Sequence, residues 1–177
     1  PAQRRGVLRR FVGLLVGPLD CICCMHECDP PVVHRDIKPK NMVVSRDGSV
    51  AKLCDFGKLR VVADRMSVAG TGMYLAPEVT QDGCSYSFPA DVWSIGVTLV
   101  EAYLKCAGVA GIGEMEEAAK GHSADYYNWL VNWAATQQVP QGAEGSLLQA
   151  VRRCIVRDPV ARATAREILL LLEAFVA

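Results

Sequence analysis

The chain has 177 residues, with 19 Lys and Arg against 19 Asp and Glu, so its formal net charge is zero. That balance argues against nucleic acid or a membrane surface as the main partner, since neither anionic surface finds an excess of cations to bind. Hydrophobic residues make up 51% of the chain, enough for one domain with a real core.

In chain order, residues 7–27 read as a helical stretch that Gly17-Pro18 interrupts, because proline removes a backbone donor and crowds the preceding turn. The longest apolar run, residues 11–19, is broken by Gly13, Gly17 and Pro18 and is too short to span a bilayer. With no secretory leader in view, the expected location is intracellular, in the cytoplasm with the nucleus open. Cys28-Asp29-Pro30-Pro31 is a turn, and Val32-Val33 leads into a polar loop. Met42-Val43-Val44 and Val50-Ala51-Lys52-Leu53 form a small hairpin across Ser45-Arg46-Asp47-Gly48. Residues 58–75 show no clean period and read as a loop. Residues 91–103 are apolar on nearly every side, so the spacing predicts a buried helix. Glu114, Glu116 and Glu117 read as a solvated face. Ser123 caps a further helix whose stripe Tyr126, Trp129, Leu130 and Trp133 reads as core. Residues 147–154 and 165–176 give two more amphipathic helices.

Of eight cysteines, Cys21, Cys23, Cys24 and Cys28 cluster around His26. A metal site is one reading. The other is a helix burying small thiols, because Cys21, Cys24 and Cys28 share one helical face and no second ligand cluster exists. The scattered remainder suits a reduced, intracellular protein.

Chemistry concentrates in two motifs: His34-Arg35-Asp36-Ile37-Lys38-Pro39-Lys40-Asn41 and Asp55-Phe56-Gly57. Two carboxylates, a carboxamide and cations so close together are what phosphoryl transfer needs: an acceptor beside an attacking hydroxyl, oxygen ligands for Mg²⁺ and positive charge for the transition state. Ala76-Pro77-Glu78 follows. With these motifs in this order the chain resembles the eukaryotic-type serine/threonine protein kinases, over roughly residues 7–177.

The resemblance implies a mainly α fold, the kinase large (C-terminal) lobe, built around a buried central helix with a small β-hairpin at the catalytic cleft. The family's Gly-rich loop and strand lysine do not occur before His34, so residues 1–177 read as a partial domain whose partner is an N-terminal lobe. It further implies ATP and Mg²⁺ as cofactors and a protein substrate. Asp36 would orient the substrate hydroxyl, with Lys38 a point charge on the transferring phosphate and Thr71 contacting both. Asn41 and Asp55 would hold Mg²⁺, and Val43 would floor the adenine, a position that core packing explains equally well. Cys54 would line the nucleotide site. Arg35 would read a phosphate on Ser67, which is otherwise an ordinary loop serine. Glu78 and Arg162 would form a buried ion pair, and Asp91 would hold the catalytic-loop backbone or merely cap its helix. Against the enzyme stands a second reading, a catalytically inactive lobe used as a protein-binding scaffold or decoy.

Overall fold

The computed structural model describes residues 2–62, 69–80, 86–107, 111–120, 124–138 and 143–177. Helix α1 (Ala2–Glu27) buries Leu8, Val12, Leu15, Leu19, Ile22 and Cys23, a three- and four-residue spacing that makes one apolar face. It runs unbroken through Gly17-Pro18, contrary to the interruption expected from proline. Tertiary packing overrides the local penalty: the α1 face lies on α2 (Phe88–Ala107), α6 (Ala165–Val176) and strand β3 (Ala51–Leu53). Gly17 has its own reason, since a Cβ there would stand 2.9 Å from the Ala51 carbonyl oxygen.

Two ladders follow α1. Strand β1 (Val32–Val33) pairs antiparallel with β4 (Arg60–Val61), Val32 opposite Val61. The 58–75 loop expected from sequence therefore begins with a strand. Strand β2 (Met42–Val44) pairs with β3 in the expected hairpin, Met42 opposite Leu53. Its turn is closed by Asp47, which accepts hydrogen bonds from the Ser45 hydroxyl at 2.6 Å and the Ser49 hydroxyl at 2.8 Å. Those bonds hold the Asp47 carboxyl down to about 2.

Helix α2 is the buried central element. Val92, Trp93, Val97, Leu99 and Val100 are all buried, and so are Ser94 and Thr98, whose hydroxyls donate to the carbonyls of Ala90 and Ser94. It begins at Phe88, three residues before the expected start at Asp91. Helix α3 (Ile112–Ala119) exposes Glu114, Glu116 and Glu117 and buries Met115. Helix α4 (Ala124–Thr136) buries Tyr126, Tyr127, Leu130 and Trp133. Ser123, its expected cap, lies outside the described residues. Helix α5 (Ala143–Cys154) starts four residues before the expected Leu147. The start of α6 is fixed by a capping box between Thr164 and Glu167. The six described helices feed one continuous apolar core.

The cysteines correct one reading. Cys24 and Cys28 lie at the surface and Cys21 is half-buried, so the face they share is not the buried one; the buried thiol of α1 is Cys23. Among the described residues no group of three His, Cys, Asp or Glu side chains could hold a metal ion. No described helix is long and apolar enough to cross a membrane.

Candidate active site

The site is built outward from Asp91, in the first turn of α2. Its carboxylate lies fully inside the protein and accepts from the backbone N–H of His34 at 2.9 Å and of Arg35 at 3.0 Å. It also accepts from the Tyr86 hydroxyl at 3.2 Å and meets His26 Nε2 at 3.0 Å. Burial and this carboxylate push the Tyr86 hydroxyl far above its ordinary range, so it stays protonated as a donor. Asp91 is thus no plain helix cap. It pins a loop in which Arg35 sits at φ 71°, a left-handed conformation that needs such over-determination in a residue with a Cβ.

His34 joins the two motifs. Its Nδ1 accepts from the Asp36 N–H at 3.3 Å, and its Nε2 is 3.2 Å from the Cys54 carbonyl oxygen. That pattern suits the tautomer with the proton on Nε2. The ring packs edge-on to Phe56, centroids 5.4 Å apart. The loop carrying Asp36 and the segment carrying Asp55 are therefore held by one imidazole.

The Asp36 side chain is 3% exposed and takes donors on both oxygens. Thr71 donates to Oδ1 at 2.6 Å, and Lys38 and Lys58 donate to Oδ2 at 2.9 and 3.0 Å. Lys38 also bonds the Thr71 hydroxyl. Burial alone would raise the Asp36 pKa, but the hydrogen bonds from Thr71, Lys38 and Lys58 outweigh it and hold the carboxyl well below the usual carboxylate range. Thr71 is itself anchored to α2: its turn closes through Tyr74 N–H to the Thr71 carbonyl at 2.9 Å, and Ser94 donates to the Tyr74 carbonyl at 2.7 Å. The Tyr74 hydroxyl reaches Glu101 at 2.7 Å.

Asn41 and Asp55 fit a hard cation. The buried Asn41 amide donates from Nδ2 to the Asp36 carbonyl at 2.7 Å, so the atom it can offer a metal is Oδ1. Asp55, at φ 61°, presents an exposed carboxylate. Two oxygen donors suit Mg²⁺, which keeps several waters and takes phosphate oxygens for the rest. Val43 is 60% exposed on the strand face opposite Met42, which packs on the core, and Cys54 beside Asp55 is half-buried.

Two outer features complete the site. Arg162 grips Glu78 with both nitrogens, at 2.6 and 3.1 Å, donates to the Pro89 and Val156 carbonyls, and lies 5.1 Å over the Trp93 ring. Arg35 is buried with its guanidinium 5.3 Å over Tyr86, and burial, then nearby Arg60, pulls its pKa down. Ser67, the phosphosite expected to meet Arg35, lies outside the described residues. Sequence reasoning missed Lys58 and Tyr86, and placed His26 only among the cysteines of a possible metal site, where the structure sets it against Asp91. Lys58 alone left a signal, a cation directly after Asp55-Phe56-Gly57.

Comparison with known proteins agrees with this geometry. A family profile for the protein kinase domain matches residues 15–171. Mitogen-activated protein kinase kinase 1 of Arabidopsis thaliana is 32% identical over 157 residues, 84% of this chain and 42% of that protein. The mitogen-activated protein kinase kinase MST7 of Pyricularia oryzae is 30% identical over 172 residues, 93% of this chain and 40% of its own length. Serine/threonine-protein kinase Nek9 of Xenopus laevis is 29% identical over 155 residues, 85% of this chain and 15% of Nek9. The chain thus spans less than half the length of these relatives. With its two motifs locked by His34 and Asp91 around a buried central helix, the chain belongs to the protein kinase domain family.

Proposed function

We propose that this chain is the catalytic large lobe of a serine/threonine protein kinase, passing the γ-phosphoryl group of ATP to protein hydroxyls when joined to a small lobe. The observation that carries this reading is the convergence of Thr71, Lys38 and Lys58 on an Asp36 carboxylate held ionised. An ionised, fixed carboxylate can accept and orient the proton of an attacking hydroxyl. Lys38, anchored on both Asp36 and Thr71, keeps an ammonium where charge builds on the transferring phosphoryl group. Asn41 and Asp55 would hold Mg²⁺, which would supply positive charge against the phosphates. Val43 and Cys54 would line the base-binding side of the cleft. Because positioning supplies most of the rate in this chemistry, the chain by itself, without a Gly-rich loop or strand lysine, should bind Mg·ATP weakly. Free thiols at Cys21, Cys23, Cys24, Cys28, Cys54, Cys106 and Cys154 support a cytoplasmic setting.

The test is transfer of radiolabelled phosphate from Mg·ATP to a mixed peptide library by the chain joined to its small lobe. Phosphoserine or phosphothreonine is the expected product. Phosphotyrosine alone would overturn the choice of hydroxyl, and no transfer would favour the scaffold reading.

A further inference from the structure

A cavity of about 460 Å³ lies where the last turn of α1, the first turn of α2 and the segment leading into α6 meet. Small-molecule sites are commonly of about 300–1,000 Å³, with mainly apolar walls and a few placed polar groups. Here the walls are Phe88, Pro89 and Val92 of α2, and Pro159, Val160 and Ala163 of the segment before α6. That segment is fixed by its own backbone: Val160 N–H donates to Asp158 at 2.9 Å, and Ala163 N–H to the Arg153 carbonyl at 3.1 Å. Cys23 also borders the space; burial pushes its thiol up to about 11, so it stays protonated and adds apolar wall. None of Asp36, Lys38, Asn41 or Asp55 lines the cavity.

The polar groups at its edge decide what it can take. The Arg162 guanidinium is committed to Glu78 and to backbone carbonyls. Arg166 is closed on Glu27 through two nitrogens, at 3.1 and 2.7 Å. The start of α6 is closed by its own capping box. His26 differs. Its side chain is 9% exposed, and its Nε2 is spent on Asp91 at 3.0 Å. Nδ1 has no partner among the described residues and is not sealed from solvent, so it opens on the cavity that the ring lines. The Asp91 carboxylate only accepts, as it does from the N–H groups of His34 and Arg35 and the Tyr86 hydroxyl. In the neutral ring the proton therefore sits on Nε2, and Nδ1 is an acceptor. The His26 and Phe88 rings, with centroids 4.7 Å apart, give a guest two aromatic surfaces.

We infer that this cavity is a binding site for a small phenol-class molecule, its ring against the apolar walls and its hydroxyl donating to His26 Nδ1. The guest stands one side chain from Asp91, whose carboxylate holds the backbone of His34 and Arg35. Binding there reaches the loop of Asp36 without entering the cleft. No covalent step is involved, and the binding does not depend on phosphoryl transfer.

The experiment is an NMR titration of the 177-residue chain at about pH 8, where histidine is ordinarily neutral. The probes are para-propylphenol and its isomer para-ethylanisole, which keeps the oxygen and lacks the donor. The phenol should bind about threefold to tenfold tighter, the span one hydrogen bond supports. It should move the signals of His26, Phe88 and Val160 and, through Asp91, the amides of His34 and Arg35. N-acetyl-tyrosine amide should bind more weakly than para-propylphenol, because its amides find no partners on the apolar walls; tighter binding would make the guest a protein's tyrosine and overturn the small-molecule assignment. Ala163→Leu fills the cavity from the wall opposite α2 and should abolish binding of both isomers. Should that variant fail to fold, the isomer comparison and the shift map on the parent chain still decide. No binding of either isomer, binding of the anisole as tight as the phenol, shifts confined to other residues, or phenol binding unchanged in a folded Ala163→Leu overturns the inference. Still amides at His34 and Arg35 while the phenol binds would overturn the link to the catalytic loop.

Discussion

Replacing Glu78 by Gln should destabilise the fold far more than its partly exposed position suggests. The Arg162 side chain is fully buried, while that of Glu78 is 16% exposed. Removing the carboxylate charge leaves a guanidinium inside the protein whose remaining partners are the Val156, Pro89 and Arg157 carbonyls and the Trp93 ring. Breaking a buried pair from one side costs roughly 3–5 kcal/mol. The carbonyls that still solvate Arg162 and the residual exposure of Glu78 put the expected loss at the lower end, about 3 kcal/mol. Against a total stability of about 5–15 kcal/mol that is a large fraction. In a domain of this size it corresponds to a drop in Tm of about 6–12 °C. Urea unfolding followed by tryptophan fluorescence reads it directly, because Trp93 lies beneath Arg162. Two comparisons isolate the cause. Glu117→Gln breaks an ion pair whose side chains are 71% and 73% exposed and should change nothing measurable. Glu78→Gln combined with Arg162→Met should recover part of the loss, since no buried charge is then stranded. A loss below about 1 kcal/mol, or a double variant weaker than the single one, would refute the reasoning.

Three further outcomes follow from the same geometry. In the chain joined to a protein kinase small lobe, Asp55→Asn should weaken Mg-dependent ATP binding in calorimetry, because the carboxylate proposed as a ligand becomes neutral; unchanged affinity would remove Asp55 from the proposed metal site. Asp36 is held below its ordinary range, so its contribution to stability is complete above the unfolded carboxyl value and is lost only as pH falls through the lower folded value. Carboxyl NMR titration should accordingly find Asp36 still ionised at a pH where exposed aspartates are half protonated. Gly17→Ala should destabilise by about 1–3 kcal/mol in urea unfolding through overpacking against Ala51, although alanine is the better helix former by about 1 kcal/mol; a stabilised variant would show that β3 does not crowd α1 there.

How much of this was legible in the sequence depended on whether the deciding force was local. The bounds of helix α6 match the expectation because its apolar period lies in the chain itself; the Thr164 cap that fixes its start emerges only in the structure. The β2–β3 hairpin was found because its turn carries Asp47 and Gly48 between β-branched runs. The sequence predicts a break in α1 because Pro18 is a local signal, whereas the packing that keeps the helix whole comes from α2, α6 and β3. The β1–β4 ladder is two residues long on each side, too short to show alternation. Within the site, Asp36, Lys38, Asn41, Asp55 and Thr71 were named from their motifs, and the structure gathers Lys38 and Thr71 on the Asp36 carboxylate. Asn41 meets the backbone of Asp36. Lys58 follows Asp55-Phe56-Gly57 directly, but its contact with Asp36, like those of His26 and Tyr86 with Asp91, is made only by folding. Cys21 and Cys24 do share a face of α1, with Cys28 just past its end, but that face is not the buried one, because spacing gives a face without saying where it points.

The most direct measurement is a single-turnover comparison of Asp36→Asn with the parent, both joined to the small lobe, with ATP affinity measured on the same samples. The substitution keeps the size of the side chain and removes the charge on which Thr71, Lys38 and Lys58 converge. The expected result is a loss of about 10²–10⁴-fold in the rate of phosphoryl transfer to serine or threonine with Mg·ATP affinity nearly unchanged. Transfer at the parent rate, or a loss of nucleotide binding as large as the loss of rate, would contradict the assignment of Asp36 as the group that receives the substrate hydroxyl.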